Sequence, residues 1–458
     1  MLTFLAYALI VVFMYMVMKK KMSPLTALII IPLVFAVIAM ATGVATTIDV
    51  KTGEISDPNL NDMIKNGIRG VANTGVMLLF AILYFATMLD AGLFDPITKR
   101  MVHFAKGDPM RVLIATAVVA AAVSLNGDGT TTTLIVVSAF LPLYKKLNMN
   151  IMNLGVLIIL QNTIMNLLPW GGPTARAMAV MNVGAEILSY LAPGMVLSLI
   201  YVIFIVAPSM GRKERKRLGI VELTEAELAE LTTTSDPEKA AIRRPEKFAF
   251  NAILTIVLIT WLVAGSFIPA IEVAPLLLFA VGTCIALMVN YPNLKDQAKR
   301  IADNSADAVA VVILVFAAGI FMGLLDGTGM SYALGQNLTQ IIPKSLSGFW
   351  GLIIALFSAP GTFFVSNDGF YYGILPALAT AGREYGFSDM SMALASLMGQ
   401  AFHLLSPLVG FIYLLLRLTG LDLGEWQKES AKYALVIFII FVVTIVLSGH
   451  MPLYIPQG

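Results

Sequence analysis

The sequence predicts an all-α, polytopic membrane protein made of two inverted repeats, each carrying a re-entrant hairpin and a broken helix. Three observations predict this class: the chain is too apolar to be soluble, its basic residues are placed as a membrane protein requires, and polar landmarks recur in its two halves. Of its 458 residues, 58% are hydrophobic and only 13% are charged. Soluble domains carry roughly 25% charged residues, so this chain cannot cover a surface that faces water.

The apolar runs are long enough for transmembrane helices, which need about 17–25 residues. The first run ends at Lys19–Lys21 and lacks a basic n-region, which indicates a membrane span rather than a cleavable signal. Predicted elements of the first half are 2–18, 24–44, 71–90, a paired region 110–143, an interrupted run 152–190, and 192–209. The corresponding elements of the second half are 248–268, 272–290, 304–325, a paired region 349–382, an interrupted run 390–420, and 432–448.

Residues 211–247 form a charged segment between the halves, predicted to be a linker with one amphipathic helix around Thr224–Leu231. Lys and Arg collect in cytoplasmic loops. Basic residues occur before residue 110, at Lys145–Lys146 and in the linker. All of them can lie on the cytoplasmic side only if the chain does not cross the membrane within 110–143. We therefore expect a re-entrant hairpin there, and by the same logic a second hairpin at 349–382, entering from the opposite face.

This placement of the basic residues also sets the topology. We expect about ten crossings, five in each half, since each hairpin returns to the face from which it entered. The linker is then cytoplasmic and both termini lie outside, in a multi-pass protein of the cell (inner) membrane.

Three polar landmarks recur in the same order at a nearly constant spacing of about 240 residues. The sequence MLD ending at Asp90 is echoed by LLD ending at Asp326, and GDG and LLP of the first half are echoed by NDG and LLSP of the second. We therefore divide the chain into repeats at 1–210 and 248–458. Because each half has an odd number of crossings, the second copy is inverted. Inverted repeats with broken helices near the midplane are a signature of secondary transporters.

The hairpin tips carry turn sequences, NGDG in the first half and SNDG in the second. Non-helical backbone at membrane depth occurs only where protein or a water-filled cavity covers it. Asp128 and Asp368 are costly there unless they bind a proton, a cation or a positive partner. Ordinary loops in water are the alternative, and some of the threonines after the first tip are expected only to bond backbone. The candidate ligands at the tips are Asn126, Gly127, Asp128, Gly129, Thr130, Thr131, Ser366, Asn367, Asp368 and Gly369.

The first interrupted run contains NLLPWGGPTARA, in which prolines and glycines break the helix. Pro173 suits the first position of a restarting helix, whose free amides favour an anion. Arg176 follows one turn later and can grip a carboxylate; pairing with Asp128 or a helix end is the alternative. Candidate substrate-binding residues of this break are Gly171, Gly172, Pro173, Thr174 and Arg176.

The second interrupted run contains HLLSPLVG, with its break at Ser406–Pro407. Ser406 is a candidate ligand, and His403 is either a proton relay or a hydrogen-bonded core histidine. The pair Tyr371–Tyr372 either lines a cavity or packs. The assembled site suits a polar anion that moves together with protons or metal ions, and therefore predicts a symporter.

Other classes are disfavoured. The chain has no HExxH metal site, GxSxG nucleophile elbow or phosphate loop, so the sequence predicts neither an enzyme nor an ATP-driven pump. Two hairpins from opposite faces would block a continuous pore, which argues against a channel. Basic runs that flank apolar spans indicate membrane lipid and not nucleic acid as the partner, and no resident cofactor is expected.

These motifs, together with LLFAILYFATMLDAGLFDP and SNDGFYYGILP, resemble the CitMHS family of metal-citrate:proton symporters, within the ion-transporter superfamily, over nearly the whole chain. The resemblance implies uptake of citrate with a divalent cation (Mg²⁺, Ca²⁺ or Zn²⁺), coupled to protons, by a homodimer with an elevator movement. Carried over onto this chain, the resemblance makes Asn126, Asp128, Thr130, Ser366, Asn367 and Asp368 the candidate tip ligands and Arg176 the candidate carboxylate contact. The intramembrane position of Asp128, Asp368 and His403 makes them the candidates for proton or cation coupling, and the two aspartates are expected to bind metal only with bound substrate. The chain departs from the family pattern at Asn126, often Asp, and at Phe411–Ile412, often hydroxyl residues. Another di- or tricarboxylate is the alternative substrate.

Overall fold

The computed structural model describes residues 1–45, 47–48, 55–56, 59–220, 223–224, 227 and 237–457. Within these residues the fold is helical, apart from two short antiparallel strands, β1 (Thr47–Ile48) and β2 (Ile55–Ser56). Seven helices in the described part of the chain are long and apolar enough to cross a membrane. The all-helical, multi-pass class predicted from composition is therefore confirmed, whereas the number of crossings stays a prediction.

The helices of the first half follow one another with short connections. They are α1 (Leu2–Met18), α2 (Pro24–Ala41), α3 (Leu60–Asp90), α4 (Asp95–Ala105), α5 (Pro109–Val123), α6 (Gly129–Lys146), α7 (Ile151–Met165), α8 (Gly172–Met181), α9 (Ile187–Ile200) and α10 (Ala207–Leu218). A 3₁₀ turn, Ser124–Asn126, ends the first limb of the predicted hairpin, and a π turn, Tyr201–Val206, joins α9 to α10.

The second half begins after the linker. Its helices are α11 (Pro237–Ile242), α12 (Phe248–Phe267), α13 (Pro275–Asn290), α14 (Leu294–Gly327), α15 (Met330–Ile341), α16 (Lys344–Ser347), α17 (Trp350–Phe364), α18 (Leu375–Glu384), α19 (Asp389–Leu397), α20 (Gln400–His403), α21 (Gly410–Thr419) and α22 (Leu423–Leu447). Two 3₁₀ turns, Pro245–Lys247 and Pro269–Ile271, flank α12, and a π turn, Gly369–Ile374, precedes α18.

Several bounds differ from those expected on hydropathy. The helices α3 and α14 begin near residues 60 and 294, about ten residues earlier than the apolar runs. The helices α4 and α15 occupy segments that were expected to be connections. Polar first turns and amphipathic helices carry no long apolar run, so a hydropathy reading misses them.

The region around the first interruption also differs from expectation. The helix α8 ends at Met181, and α9 already starts at Ile187, with Pro193 inside it. Through the π turn this helix continues to Leu218, so the segment predicted to be a linker from residue 211 starts within a helix. The amphipathic helix expected around Thr224–Leu231 lies mostly outside the described residues.

The long helices α3 and α14 pack together over an extensive contact. Glycines allow their backbones to approach: a Cβ on Gly67 would lie 2.0 Å from the carbonyl oxygen of Gly319, and one on Gly323 would lie 2.3 Å from that of Met63. Small residues at a helix crossing are the usual means of close packing in membranes. This contact gives the two halves a shared core.

The helices that carry the tips pack on the interrupted runs. Each hairpin limb contacts the interrupted run of its own half: α5 and α6 lie on α7, and α17 lies on α19 and α20. The limbs after the tips also reach the other half, since α6 contacts α21 and the π turn at Gly369–Ile374 contacts α8. The interrupted runs touch each other through α8 and α19. These contacts bring all four polar landmarks into one assembly.

Candidate functional site

Tip 1, defined as Asn126–Gly129, is a tight turn that starts α6. Gly127 has a φ of 79°, a left-handed conformation that favours glycine. Asp128 is the N-cap of α6: its carboxylate accepts from the amides of Thr130 (3.1 Å) and Thr131 (2.7 Å). The amide oxygen of Asn126 in turn accepts from the Asp128 amide at 2.7 Å. The carboxylate of Asp128 is thus exposed but held by its own helix.

The threonines after tip 1 divide into two pairs. Thr130 is exposed and Thr131 is half-buried, so both reach open space beside the tip. Thr132 is buried and donates its hydroxyl to the Asp128 carbonyl at 2.9 Å. The buried hydroxyl of Thr133 has no hydrogen-bond partner among the described residues. The first pair remains a candidate for ligand contact, and Thr132 has the backbone-bonding role that the sequence left open.

Two side chains of the first interrupted run anchor tip 1. The indole nitrogen of Trp170 donates to the Leu125 carbonyl at 2.7 Å, and its ring stacks on Phe85 at 5.0 Å. Asn162, buried in α7, donates to the Ser124 hydroxyl at 3.4 Å. Neither residue was predicted from the sequence to support the tip, although an amide inside an apolar run is a visible signal for Asn162.

The break between α7 and α8 is tightly specified. A Cβ on Gly171 would lie 2.0 Å from the Asn166 carbonyl oxygen, so only glycine fits this position. Thr174 is fully buried and donates its hydroxyl to the Leu167 carbonyl at 2.9 Å across the break. Thr174 was predicted to bind substrate, but its hydroxyl is used to hold the break. The N-cap Gly171 gives α8 no side-chain cap, and Pro173 follows in its first turn.

Arg176 pairs with tip 2, defined as Ser366–Gly369, and not with Asp128. Its Nε donates to Asp368 Oδ1 at 2.7 Å, and its Nη1 donates to the Gly172 carbonyl at 2.8 Å. The side chains of Arg176 and Asp368 are 21% and 19% exposed, respectively, so both border open space. A residue of the first interrupted run is therefore ion-paired with a residue of the second hairpin.

Hydroxyl and amide groups shape tip 2. The Ser366 hydroxyl accepts from the Gly369 amide at 3.1 Å and so caps the following turn in place of Asp368. Gln400, buried in α20, donates both to the side-chain oxygen of Asn367 and to the Tyr371 hydroxyl, at 3.0 Å in each case. The side-chain oxygen of Gln400 is buried and has no partner among the described residues. Gln400 was missed in the sequence, where it stands as a single amide in an apolar stretch.

The polar side chains of the second interruption form hydrogen bonds to backbone groups. His403 is 4% exposed, and its Nδ1 lies 2.6 Å from the Thr362 carbonyl, to which it donates. Ser406 is fully buried, donates to the Phe363 carbonyl at 2.5 Å and accepts from the Leu408 amide at 3.1 Å. Both residues therefore fasten the break to the first limb of the second hairpin. Tyr371 and Tyr372 are buried.

Tip 1 meets the second interruption through an apolar contact. A Cβ on Gly129 would lie 2.4 Å from the ring of Phe411, in the first turn of α21. The neighbouring Gly410 faces open space, and no described side chain caps the start of α21. Each tip thus touches the interrupted helix of the other half, through a charged pair at tip 2 and an aromatic contact at tip 1.

In the part of the chain that the structure describes, no three His, Cys, Asp or Glu side chains lie close enough together to form a metal site.

The structure is an apolar helix bundle in which two helix pairs with polar tips meet two broken helices at a partly exposed ion pair. This is the architecture of a membrane transporter. Residues 13–399 match the citrate transporter family, CitMHS. The chain belongs to this family of transporters and is not an enzyme.

Comparison with individual proteins agrees with this assignment. The chain is 42% identical over 451 residues to a citrate transporter of Bacillus subtilis (strain 168), covering 98% of this chain and 99% of that protein. It is 38% identical over 453 residues to a Mg(2+)/citrate complex secondary transporter of the same organism, with the same coverage. The YdaH transporter of Alcanivorax borkumensis, described as having an unusual topology, shares the fold: the TM-score is 0.60 at 16% identity, over 95% of this chain and 100% of that chain.

Proposed function

We propose that this protein imports citrate as a complex with a divalent cation, driven by proton symport. The observation that carries this proposal is the partly exposed Arg176–Asp368 pair where tip 2 meets the uncapped start of α8. A guanidinium and free helix amides favour a carboxylate, and a nearby aspartate favours a cation. The relatives named for citrate and for the Mg(2+)/citrate complex support the same cargo.

The charges of the site favour a complexed substrate over free citrate. Asp128 and Asp368 carry two negative charges against one positive charge on Arg176, so the tips together hold an excess of negative charge. Free citrate would bring three further negative charges into a site that is expected to lie at membrane depth. A divalent cation bound to citrate cancels two of them, and such charges inside a membrane must be compensated. A proton taken up at Asp128, Asp368 or His403 would cancel another.

In this mechanism some of the other predicted site residues offer backbone or hydroxyl groups to the substrate, and others, such as Thr174 and Ser406, hold the breaks in shape. Gly127 and Gly172 are half-buried and leave part of the backbone accessible, whereas Gly129 and Gly369 are buried. Thr130 and Thr131 offer hydroxyls beside tip 1. Asn126 and Asn367 hold their tips in shape. The two aspartates become cation ligands only when the substrate supplies the remaining oxygens.

We further propose the topology and movement. The repeats 1–210 and 248–458 would be inverted about the membrane plane, with the linker in the cytoplasm and both termini outside, in the cell membrane. The recurring order of helix types in the two halves supports this division. The hairpins and broken helices would move as a unit past a scaffold built on α3 and α14, in a homodimer. The dense packing of each hairpin on its own interrupted run supports such a unit.

A second candidate substrate is another di- or tricarboxylate. The observation that favours it is the Phe411 ring on Gly129, which places an apolar surface where a hydroxyl would help to bind a substrate as polar as citrate. A smaller or less hydroxylated acid would lose less binding free energy at this position than citrate.

Uptake into proteoliposomes tests the proposal. Purified protein is reconstituted, an inward proton gradient is imposed, and labelled citrate uptake is measured with EDTA or with excess Mg²⁺, Ca²⁺ or Zn²⁺. We expect uptake to require one of these cations and to collapse with a protonophore. Uptake that is unaffected by EDTA would contradict the metal complex, and uptake that survives the protonophore would contradict proton coupling. If folded protein takes up labelled succinate or malate but not citrate, the second candidate replaces the first.

A further inference from the structure

The two aspartates of the tips are held in different ways. Both carboxylate oxygens of Asp128 accept backbone amides of its own helix. The carboxylate of Asp368 caps nothing, because Ser366 accepts the nearby Gly369 amide. Its only hydrogen bond among the described residues is the one from Arg176 at 2.7 Å. Asp368 can therefore leave its partner without unwinding a helix.

The Arg176 side chain is equally ready to change partner. Its Nη1 stays on the carbonyl of Gly172, one turn back in α8, which fixes the guanidinium whether or not Asp368 is present. The contact with Asp368 uses Nε alone, so it is not the bidentate pairing that Arg prefers with carboxylates. No further hydrogen bond of Nη2 is found in the described part of the chain. The side chain is 21% exposed, so part of it borders open space from which a ligand carboxylate can approach.

We infer that Asp368 is an internal competitor of the substrate: it occupies Arg176 in the empty protein and is displaced when a substrate carboxylate binds there. This inference rests on the proposed carboxylate transport and specifies how substrate and cation are coupled at tip 2. Once displaced, the Asp368 carboxylate is a free anion beside the substrate, and a divalent cation that bridges the two removes their repulsion. Binding of the cation and of the carboxylate are then mutually dependent, and this linkage is reciprocal.

A titration separates this role from that of a simple ligand. Citrate binding to purified protein is measured by calorimetry in EDTA and again in Mg²⁺, for the wild type and for Asp368→Asn. In EDTA we expect Asp368→Asn to bind citrate about tenfold more tightly, because the competing charge is gone. Mg²⁺ should strengthen citrate binding to the wild type and have a much smaller effect on Asp368→Asn. Uptake driven by the cation should fall in the same variant.

Matched variants make the result specific. Asp368→Ser, which also offers Arg176 an uncharged acceptor, should behave like Asp368→Asn and serves if the latter does not fold. Asp128→Asn also removes a negative charge from the site but releases no cation among the described residues, so it should tighten citrate binding in EDTA much less than Asp368→Asn. Glu246→Gln, an exposed change in the linker, should match the wild type in both titrations. Unchanged or weaker binding by both Asp368 variants in EDTA would overturn the inference.

The same titrations with succinate and tricarballylate separate the test of the Asp368 role from the question of which acid is the substrate. If one of these acids binds the wild type and citrate does not, the citrate proposal fails. The Asp368 variants are then compared on the acid that binds, where tighter binding in EDTA supports the inference and unchanged binding overturns it. If none of the three binds the folded wild type, both proposals fail.

Discussion

The guanidinium of Arg176 lies 2.7 Å from the carboxylate of Asp368, 192 residues further along the chain. The pair joins the first interrupted helix to the second hairpin tip and so contributes to the contact between the two halves. Both side chains are partly exposed, which makes the pair accessible to a ligand as well as structural. Its position explains why the two residues have to be tested together.

Arg176 is expected to determine substrate affinity. Arg176→Ala removes the carboxylate contact and leaves Asp368 uncompensated, and we expect the KM for uptake to rise about 30-fold or more. Arg176→Lys keeps the charge but loses the planar donors, so a smaller increase is expected. Uptake kinetics in proteoliposomes measure both. Wild-type KM in the two variants would make Arg176 structural only.

The charge of Asp128 can be separated from its role as a helix cap. Asn caps helices about as well as Asp, so Asp128→Asn should keep the stability of the wild type and lose coupled uptake. Asp128→Ala should lose both, with about 1 kcal/mol from the missing cap. Thermal unfolding and proton-driven uptake are measured for each variant. Normal uptake by Asp128→Asn would remove its carboxylate from the coupling mechanism.

The contact of Gly129 with Phe411 predicts a compensating pair. Gly129→Ala places a methyl group 2.4 Å from the ring of Phe411 and should destabilise the protein by about 2 kcal/mol. Phe411→Ala removes the obstacle, so adding Gly129→Ala should cost less stability in the Phe411→Ala background than in the wild type. A double-mutant cycle of unfolding free energies measures this coupling, expected at about 1–2 kcal/mol. Additive effects would show that the ring moves aside freely.

The glycines of the two interruptions are expected to differ in how well they tolerate substitution by alanine. Gly171→Ala puts a Cβ 2.0 Å from the Asn166 carbonyl oxygen and should cost on the order of 3 kcal/mol or prevent folding. Gly410→Ala, at the start of the other restarting helix, meets nothing within 4 Å and is the matched control. Yield of monodisperse protein and melting temperature compare the two. Equal behaviour would mean that the first break is less constrained than its geometry indicates.

The linker makes a pH-dependent contact with the end of α6. Lys146 lies 2.8 Å from Glu227, and this pairing, with hydrogen bonds from Thr224, lowers the pKa of Glu227 to about 2. Because the folded pKa is below the usual value of 4.5, the contact stabilises the fold above pH 4.5 and is lost as the pH falls towards 2. Glu227→Gln should therefore reduce the acid sensitivity of the melting temperature slightly. Uptake at neutral pH should be unchanged, and a loss of uptake would give the linker a role that we do not expect.

The sequence by itself determined the membrane class, the two turn sequences at the tips and the two interruptions. Composition decides whether a chain can face water, and glycine, proline and asparagine act on the backbone within a few residues of themselves. Gly127 and Gly171 illustrate this, since a left-handed turn and a backbone contact five residues away each require glycine. The amphipathic helices α4 and α15 were not predicted from the sequence because their apolar faces are short and interrupted.

Only the tertiary structure decided which groups meet. Arg176 could have paired with Asp128 on local evidence, and its partner is Asp368 because α8 packs against the start of the second hairpin's returning limb. Thr174 and Ser406 looked like ligands, but their hydroxyls hold the two breaks closed. Such choices depend on contacts between segments far apart in the chain. Local patterns constrain dihedral angles and hydrophobicity, whereas the pairing of distant polar groups is set by how the helices pack.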